Sequence, residues 1–215
     1  MNTALVCSTW LDTTDYLAKT LKFLDYYTQP GIMDALNINS TDIWLVDNAS
    51  DEKLLEWVKN KYNVSVYRYK KHLPRTGHLE YPYCWRQLYF GRYLFQEHDY
   101  EKVVHLNNDV YIISNTAFQK IKATKNGDYW CPWCPKHNFP ECDLQIYTKD
   151  SDAYWNMTSL PYMDYNGQHM ELVIPATVDK DLVSDRHSEY GITQQDPNWD
   201  ISCQVKYEMK IKQTL

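Results

Sequence analysis

The apolar positions of this chain change period several times, and each change marks an element. Residues 3–8 (T-A-L-V-C-S) form a short apolar run closing in Ser8-Thr9-Trp10, the pattern of a buried strand. Leu17, Leu21 and Leu24 then recur at helical spacing. Asp12-Thr13-Thr14 ahead of them supply N-cap residues for a helix reaching about Tyr27. Pro30-Gly31 breaks the chain, and residues 41–46 (T-D-I-W-L-V) predict a second strand. It ends in Asp47-Asn48-Ala49-Ser50, with Ser50 placed to cap a helix over 51–61; residues 64–69 predict a third strand. Strand, helix, strand, helix, strand is the order of a parallel sheet with helices packed on its faces.

Residues 70–82 (K-K-H-L-P-R-T-G-H-L-E-Y-P) lose this rhythm and read as a loop rich in cations, Gly and Pro. A helix over 83–97 follows, carrying Trp85, Leu88, Tyr89, Arg92, Tyr93 and Phe95. The most informative stretch is 101–113, E-K-V-V-H-L-N-N-D-V-Y-I-I. A strand over 102–106 runs into the polar break Asn107-Asn108-Asp109, and a second apolar run, 110–113, starts at once. The flanking Val, Ile, Tyr and Leu favour extended structure, and the break is too short for a surface loop. A carboxylate between two buried half-strands is costly unless its charge is compensated. A divalent cation with an anionic ligand on its far side would compensate it; an Asx turn at Asn107 and Asn108 is the plain structural alternative.

Further on, Asn115-Thr116 can cap a short helix to about Lys122, residues 128–133 and 144–148 read as strands, and 153–157 as a short helix. Residues 171–178 look extended, and Pro175 would place them at an edge. From 181 to the end the chain is polar and without period. Residues 204–215 read as a tail or linker, leaving 1–203 as one domain, a sensible size for a single core.

Composition narrows the function classes. A net charge of -6 argues against a duplex nucleic-acid binder, which needs a broad basic face. It leaves room for a small anionic ligand held by a few cations. The 19 Tyr and 8 Trp suit either a surface that stacks on rings and sugars or a dense aromatic core. No apolar run reaches the ~18 residues of a membrane span, and the opening M-N-T-A-L-V-C-S-T-W is too soon polar for a signal peptide. Of Cys7, Cys84, Cys131, Cys134, Cys142 and Cys203, the first falls in a strand-like run and the second in a helix. This is the distribution of a reduced, cytoplasmic protein.

In open α/β sheets, ligands bind beyond the carboxyl ends of the strands. Ser8-Thr9-Trp10, Asp47-Asn48 and Asn107-Asn108-Asp109 all fall at such ends. An Asp there can accept the N–H of a pyrimidine, while Thr or Trp covers its face; the plain alternative for Asp47-Asn48-Ala49-Ser50 is a turn and helix cap. V-D-N-A-S after the second strand, followed by a hydrophobic strand and N-N-D-V-Y-I, resembles the nucleotide-sugar glycosyltransferases of the GT-A fold. The similarity runs as an ordered series of elements over about residues 3–160, and within the family it points to the small enzymes with which large algal (chlorella) viruses glycosylate their own capsid protein.

The resemblance implies a single GT-A-like, Rossmann-like α/β domain with a central, mostly parallel mixed sheet flanked by helices. It implies that Asp47 contacts the base and that the D-x-D-like segment holds Mn²⁺ or Mg²⁺ against the diphosphate of a UDP-sugar. The first Asp of that motif is Asn107 here, so Asp109 is its only carboxylate, which lowers the charge available to a metal. A further ligand commonly comes from near the C-terminus; here that is His187, in V-S-D-R-H-S-E-Y-G beside Asp185. The loop and helix R-T-G-H-L-E-Y-P-Y-C-W-R-Q-L-Y-F is similar to the donor-gripping segment of the family.

Arg75 and Arg86, with Lys71, are candidates for the diphosphate, because Arg grips phosphate oxygens bidentately. In F-P-E-C-D-L-Q-I, Glu141, Asp143 and Gln145 stand where the family places its acid–base or oxocarbenium-stabilising groups, with Glu141 the first choice. Inversion would use one carboxylate as general base on the acceptor hydroxyl of a glycan or glycoprotein, and retention remains open beside it. The competing constellation is Cys131-x2-Cys134-x2-His137-x4-Cys142, four soft groups that suit a structural zinc but match no standard finger spacing. The expectation is a metal-dependent hexosyl or deoxyhexosyl transferase. The alternative is a non-catalytic carbohydrate- or nucleotide-binding module using the same strand ends.

Overall fold

A computed structural model describes residues 1–77, 80–185 and 200–202. The strands are β1 (Thr3–Thr9), β2 (Ile43–Asp47), β3 (Ser65–Arg68), β4 (Lys102–Asn107), β5 (Tyr111–Ile112), β6 (Tyr129–Cys134), β7 (Phe139–Pro140), β8 (Leu144–Thr148), β9 (Thr177–Asp185) and β10 (Ile201–Ser202). They form one sheet in the order β3-β2-β1-β4-β8-β6-β9-β10-β5, with β7 paired to β6. The α/β fold and mixed sheet expected from the sequence are both present. Strands β3, β2, β1 and β4 run parallel, so their carboxyl ends lie along one edge. Antiparallel β8 then meets β4 with Leu144 opposite Leu106, which brings the chain just before β8 beside the end of β4.

The helices are α1 (Thr14–Tyr27), α2 (Pro30–Leu36), α3 (Glu52–Tyr62), α4 (Pro82–Leu88), α5 (Phe90–Glu97), α6 (Asn115–Ala123), α7 (Asp152–Met157) and α8 (Met170–Val173). Along β1, Leu5 and Cys7 bury into one core while Ala4 and Val6 bury into the other, the two-residue alternation of a sheet covered on both faces. The first core takes Phe23, Leu24 and Tyr27 of α1 and Phe118 and Ile121 of α6. The second takes Trp85 of α4, Leu94 and Phe95 of α5 and Tyr154 of α7.

Several local expectations are corrected. Pro30 opens a helix rather than breaking the chain, because at N1 its missing N–H costs nothing. The cap of α3 is Asp51, whose side chain accepts Leu54 N–H; Ser50 is buried in the preceding turn. Ser114, not Asn115, caps α6. The expected helix over 83–97 divides at Tyr89. The Leu88 carbonyl accepts the hydroxyls of Tyr147 (3.4 Å) and Tyr154 (3.0 Å), and Arg92 N–H turns instead to Tyr89 O. Inserting side chains into a helix ladder in this way produces a kink. Gly91 is required there, since a Cβ would lie 2.5 Å from both tyrosines.

Residues 171–178 are not one strand. Met170 and Ile174 bury at helical spacing and close α8, and Pro175 forces extended backbone on Ile174 before β9 begins at Thr177. Nor does β9 lie at an edge, being held between β6 and β10. No helix among the described residues is long and apolar enough to cross a membrane. His187, Cys203 and the tail over 204–215 lie outside the described residues.

Candidate functional site

The carboxyl ends of β1, β2 and β4 open into a cavity of about 490 Å³. Ser8, Thr9 and Trp10 line it from the end of β1, Asn48 from the end of β2, and Asn107, Asn108 and Asp109 from the end of β4. Three polar segments far apart in sequence therefore meet, because parallel strands end on one edge. Tyr16 and Lys19 of α1, the 72–75 loop, Tyr83, Cys84 and Gln87 of α4, and Asp143 complete the wall. A second cavity of about 580 Å³ lies at the amino ends of the strands. It presents Asp34, Asp42 and Asp99 with no lysine or arginine, so it would repel phosphate.

The polar break after β4 is a turn, closed by Val110 N–H to Asn107 O (3.3 Å), and each of its side chains is gripped separately. Asn107 Nδ2 donates to Asp143 Oδ1 at 2.6 Å, and the backbone of Asn107 donates to Asp143 O. Asn108 Nδ2 reaches Thr20 Oγ1 at 3.1 Å, and Thr20 in turn bonds Thr9 Oγ1 at 2.8 Å. Asp109 lies 3.4 Å from Lys19 Nζ, which stands equally far from Asp15. The charge compensation demanded by a half-buried Asp109 is thus met by an ammonium on α1. Burial still pushes the Asp109 carboxyl above its ordinary range, with Lys19 pulling back part of the way. For Lys19, burial opposes the charge, but Asp109 and Asp15 outweigh it and hold the ammonium above its usual value.

The turn after β2 is built differently. Asp47 is completely buried and absent from the cavity wall. Its Oδ2 accepts Ser50 N–H (2.7 Å), its Oδ1 accepts the Ser50 hydroxyl (2.5 Å), and Ser50 Oγ also accepts Leu11 N–H. The geometry is that of the turn rather than of a base contact. Ala49, at φ 68°, shows how tightly this turn winds. Burial raises the Asp47 carboxyl, and the Ser50 hydrogen bonds partly restore it.

Asn48 does line the cavity, through a reciprocal pair with Leu73: Nδ2 donates to Leu73 O and Oδ1 accepts Leu73 N–H, each at 3.0 Å. Arg86 backs this clamp from inside. It donates to Asn48 Oδ1 (2.5 Å) and Lys71 O (2.8 Å), and its guanidinium lies 3.8 Å from the centre of the Tyr69 ring. At 7% exposure Arg86 lies off the cavity wall and braces the loop. Arg75 is exposed on the wall, and Lys71 is exposed but not part of it. Trp10 packs against Tyr16 and His72, with ring centres 5.6 and 4.6 Å apart.

Of the three residues offered for acid–base work, only Asp143 lines the cavity. Glu141 is fully buried, and its Oε1 accepts Asp143 N–H. Gln145 is also fully buried: Tyr129 O–H donates to its Oε1 (2.6 Å), and its Nε2 donates to Cys142 O (2.8 Å). Among the described residues, Glu141, Cys142 and Asp143 bring three possible ligand atoms within 4.8 Å of one another. Cys131, Cys134 and His137 form no such group with Cys142, and the zinc arrangement is not assembled. Beneath the floor, Ser8 Oγ meets His105 Nε2 at 3.0 Å, and burial pushes that imidazole down to about 4. His105 is a neutral packing element there.

Sequence reasoning passed over Lys19, Tyr16, His72 and Gln87. Lys19 and Tyr16 share one face of α1 at i, i+3 spacing, so the amphipathic pattern contained the signal. Gln87, 1% exposed, donates from Nε2 to Val46 O at 2.6 Å.

The parallel β3-β2-β1-β4 run joined through antiparallel β8 to β6 gives this chain a GT-A-like fold. No family model matches the sequence, and no curated protein does. Among solved structures, the galactosyltransferase LgtC, crystallised with donor and acceptor sugar analogues, superposes with a TM-score of 0.59 at 13% identity, covering 93% of this chain and 86% of that one. A glycosyltransferase involved in glycosylating the major capsid of PBCV-1 gives 0.50 at 11% identity, over 96% and 95% of the two chains. A Bacillus anthracis protein described as a glucose-1-phosphate thymidylyltransferase gives 0.50 at 8% identity, over 83% and 86%. The fold is shared by these proteins, and the reaction has to be argued from the site.

Proposed function

We propose that the chain is a glycosyltransferase that takes a UDP-linked sugar and passes it to a hydroxyl of a glycan or glycoprotein. The observation that carries this reading is the composition of one cavity. Rings (Trp10, Tyr16, His72), cations (Lys19, Arg75) and carboxylates (Asp109, Asp143) converge on the strand ends where α/β sheets bind ligands. The base would lie against Trp10 and the Asn48–Leu73 clamp, and the diphosphate would meet Lys19 and Arg75. Asp143 is the group best placed to act on the acceptor hydroxyl or to stabilise the sugar's developing charge.

The site suits a hard divalent ion in its donor set. Asp109 and Asp143 offer carboxylate oxygens on the same wall as the Asn107 amide, the ligand types that Mg²⁺ and Mn²⁺ prefer. Asp109, with the Asn107 amide on the same wall, would hold the ion, and His187 remains a proposed further ligand. When bound, such an ion neutralises charge on the leaving diphosphate. The chain's own residues bind and orient the donor: Asn107 fixes the Asp143 carboxylate by its 2.6 Å hydrogen bond, and Asn108 ties the turn to α1. The five cysteines among the described residues form no disulfide, which agrees with the reducing cytoplasm proposed as its location, that of the host if the protein is viral.

The test is turnover of a panel of UDP-sugars with Mn²⁺, read as UDP release with and without glycan acceptors. Acceptor-stimulated release from one UDP-sugar is expected. Binding of nucleotide or glycan with no release from any donor would instead identify a binding module.

A further inference from the structure

We propose that Lys19 is the movable cation of this site: it holds Asp109 in the free protein and passes to the donor's diphosphate when a divalent ion takes the carboxylate. This rests on the glycosyltransferase reading and adds a residue and an exchange to it. Lys19 Nζ stands 3.4 Å from Asp109 Oδ2 and 3.4 Å from Asp15 Oδ2. Strong ammonium–carboxylate hydrogen bonds close to about 2.7–2.9 Å, so the ammonium is shared loosely between two partners. The contrast within the molecule is Lys120, whose Nζ closes to 2.6 Å on Asp179.

The surroundings favour exchange. Lys19 is on the cavity wall, and its side chain retains 24% exposure, against 16% for Asp109 and 64% for Asp15. A metal on Asp109 would repel the neighbouring ammonium and compete with it for the same oxygen. A nucleoside diphosphate in the cavity offers the displaced ammonium an anion of higher charge than Asp15. The flexible four-carbon stem and point charge of lysine suit such a movement. The motif's other position is already engaged, since Asn107 is tied to Asp143. Asp109 is therefore the carboxylate at which ammonium and metal must alternate.

Calorimetry on the whole chain separates the two halves of the exchange: Mn²⁺ alone, then UDP at saturating Mn²⁺, for wild type, Lys19→Met and Lys19→Arg. Without its competitor, Lys19→Met should bind Mn²⁺ alone about fivefold more tightly. Without its phosphate contact it should bind UDP about tenfold more weakly. Lys19→Arg keeps the charge and should stay much closer to wild type in both titrations. The lost ion pairs are partly exposed and cost at most about 1 kcal/mol, so a melting curve matching wild type is the check on folding. Unchanged or weaker Mn²⁺ binding by Lys19→Met overturns the competition, and unchanged UDP binding overturns the phosphate role. Failure of the wild type itself to bind UDP with Mn²⁺ overturns the underlying reading instead, so the two failures are told apart.

Discussion

Two carboxylates stand at the ends of parallel strands in this molecule, and they are compensated in opposite ways. Asp47 ends β2 fully buried, with both oxygens hydrogen-bonded to Ser50 three residues on. Asp109 follows β4, stays partly open to the cavity, and is compensated by an ammonium from another element, α1. Burial raises both carboxyls, so depth alone does not distinguish them. What does is the partner. Short local hydrogen bonds, with the Arg68 charge behind them, fix a turn; a long-range cation at loose distance leaves a charge available for exchange.

The largest effect that sharpens this comparison is expected at His105, on β4 behind Ser8. Its folded-state value of about 4 lies below the ordinary ~6.5 of histidine. The unfolded chain therefore takes up a proton first as pH falls, and stability drops between about pH 6.5 and 4. The loss approaches about 3 kcal/mol. The raised Asp47 and Asp109 carboxyls act in the opposite sense at the acid end of that window, so the comparison must be between proteins. Urea melts of wild type and His105→Gln across this range should converge as pH falls. Parallel curves would mean that His105 is not held neutral.

Next comes the Asp47 turn. Asp47→Ala leaves the buried Ser50 N–H and hydroxyl without their acceptor and should cost about 2 kcal/mol. UDP affinity of the folded variant should stay near that of wild type. Denaturation beside calorimetry decides the matter: intact stability with lost UDP binding would restore Asp47 as a base contact and break the comparison. A smaller change is expected from Arg86→Lys. It removes the fork that spans Asn48 Oδ1 and Lys71 O and the stack on Tyr69, at about 1 kcal/mol. Any loss of UDP binding would come through the Asn48–Leu73 clamp, and a tenfold loss without destabilisation would place Arg86 on the ligand.

How much of this was legible in the sequence follows the range of the interactions. Of the six strands and α-helices from β1 to β3, all but α2 are legible in order because each is announced locally, by an apolar run or a helical repeat and a cap; α2 hides behind Pro30-Gly31, which reads as a break. The Asn107-Asn108-Asp109 break was found by the same means. Residues 171–178 were misread because Val and Ile favour strands, whereas burial of Met170 and Ile174 fixed a helical turn. The kink at Tyr89 depends on hydroxyls from Tyr147 and Tyr154, some 60 residues away in sequence, and no local pattern announces it.

The site divides in the same way. Strand ends converge by topology, so Ser8, Thr9, Trp10, Asn48 and Asn107 to Asp109 were read correctly as neighbours. Which of them face the cavity was not legible. Asp47, Arg86, Glu141 and Gln145 have the right chemistry, but their hydrogen bonds turn inward. Lys19 has an ordinary helical setting in the sequence and becomes a site residue only because α1 lies over the end of β4.

Asp109 is proposed as the exchangeable charge of a donor site. Its direct test is UDP titration into wild type and Asp109→Asn, each with and without Mn²⁺, by calorimetry. On that proposal, Mn²⁺-dependent UDP binding is expected in the wild type and its loss in Asp109→Asn, whose fold should survive because Asn keeps the side chain's shape and Lys19 retains Asp15. Asp109→Asn binding UDP and Mn²⁺ as tightly as the parent would contradict it.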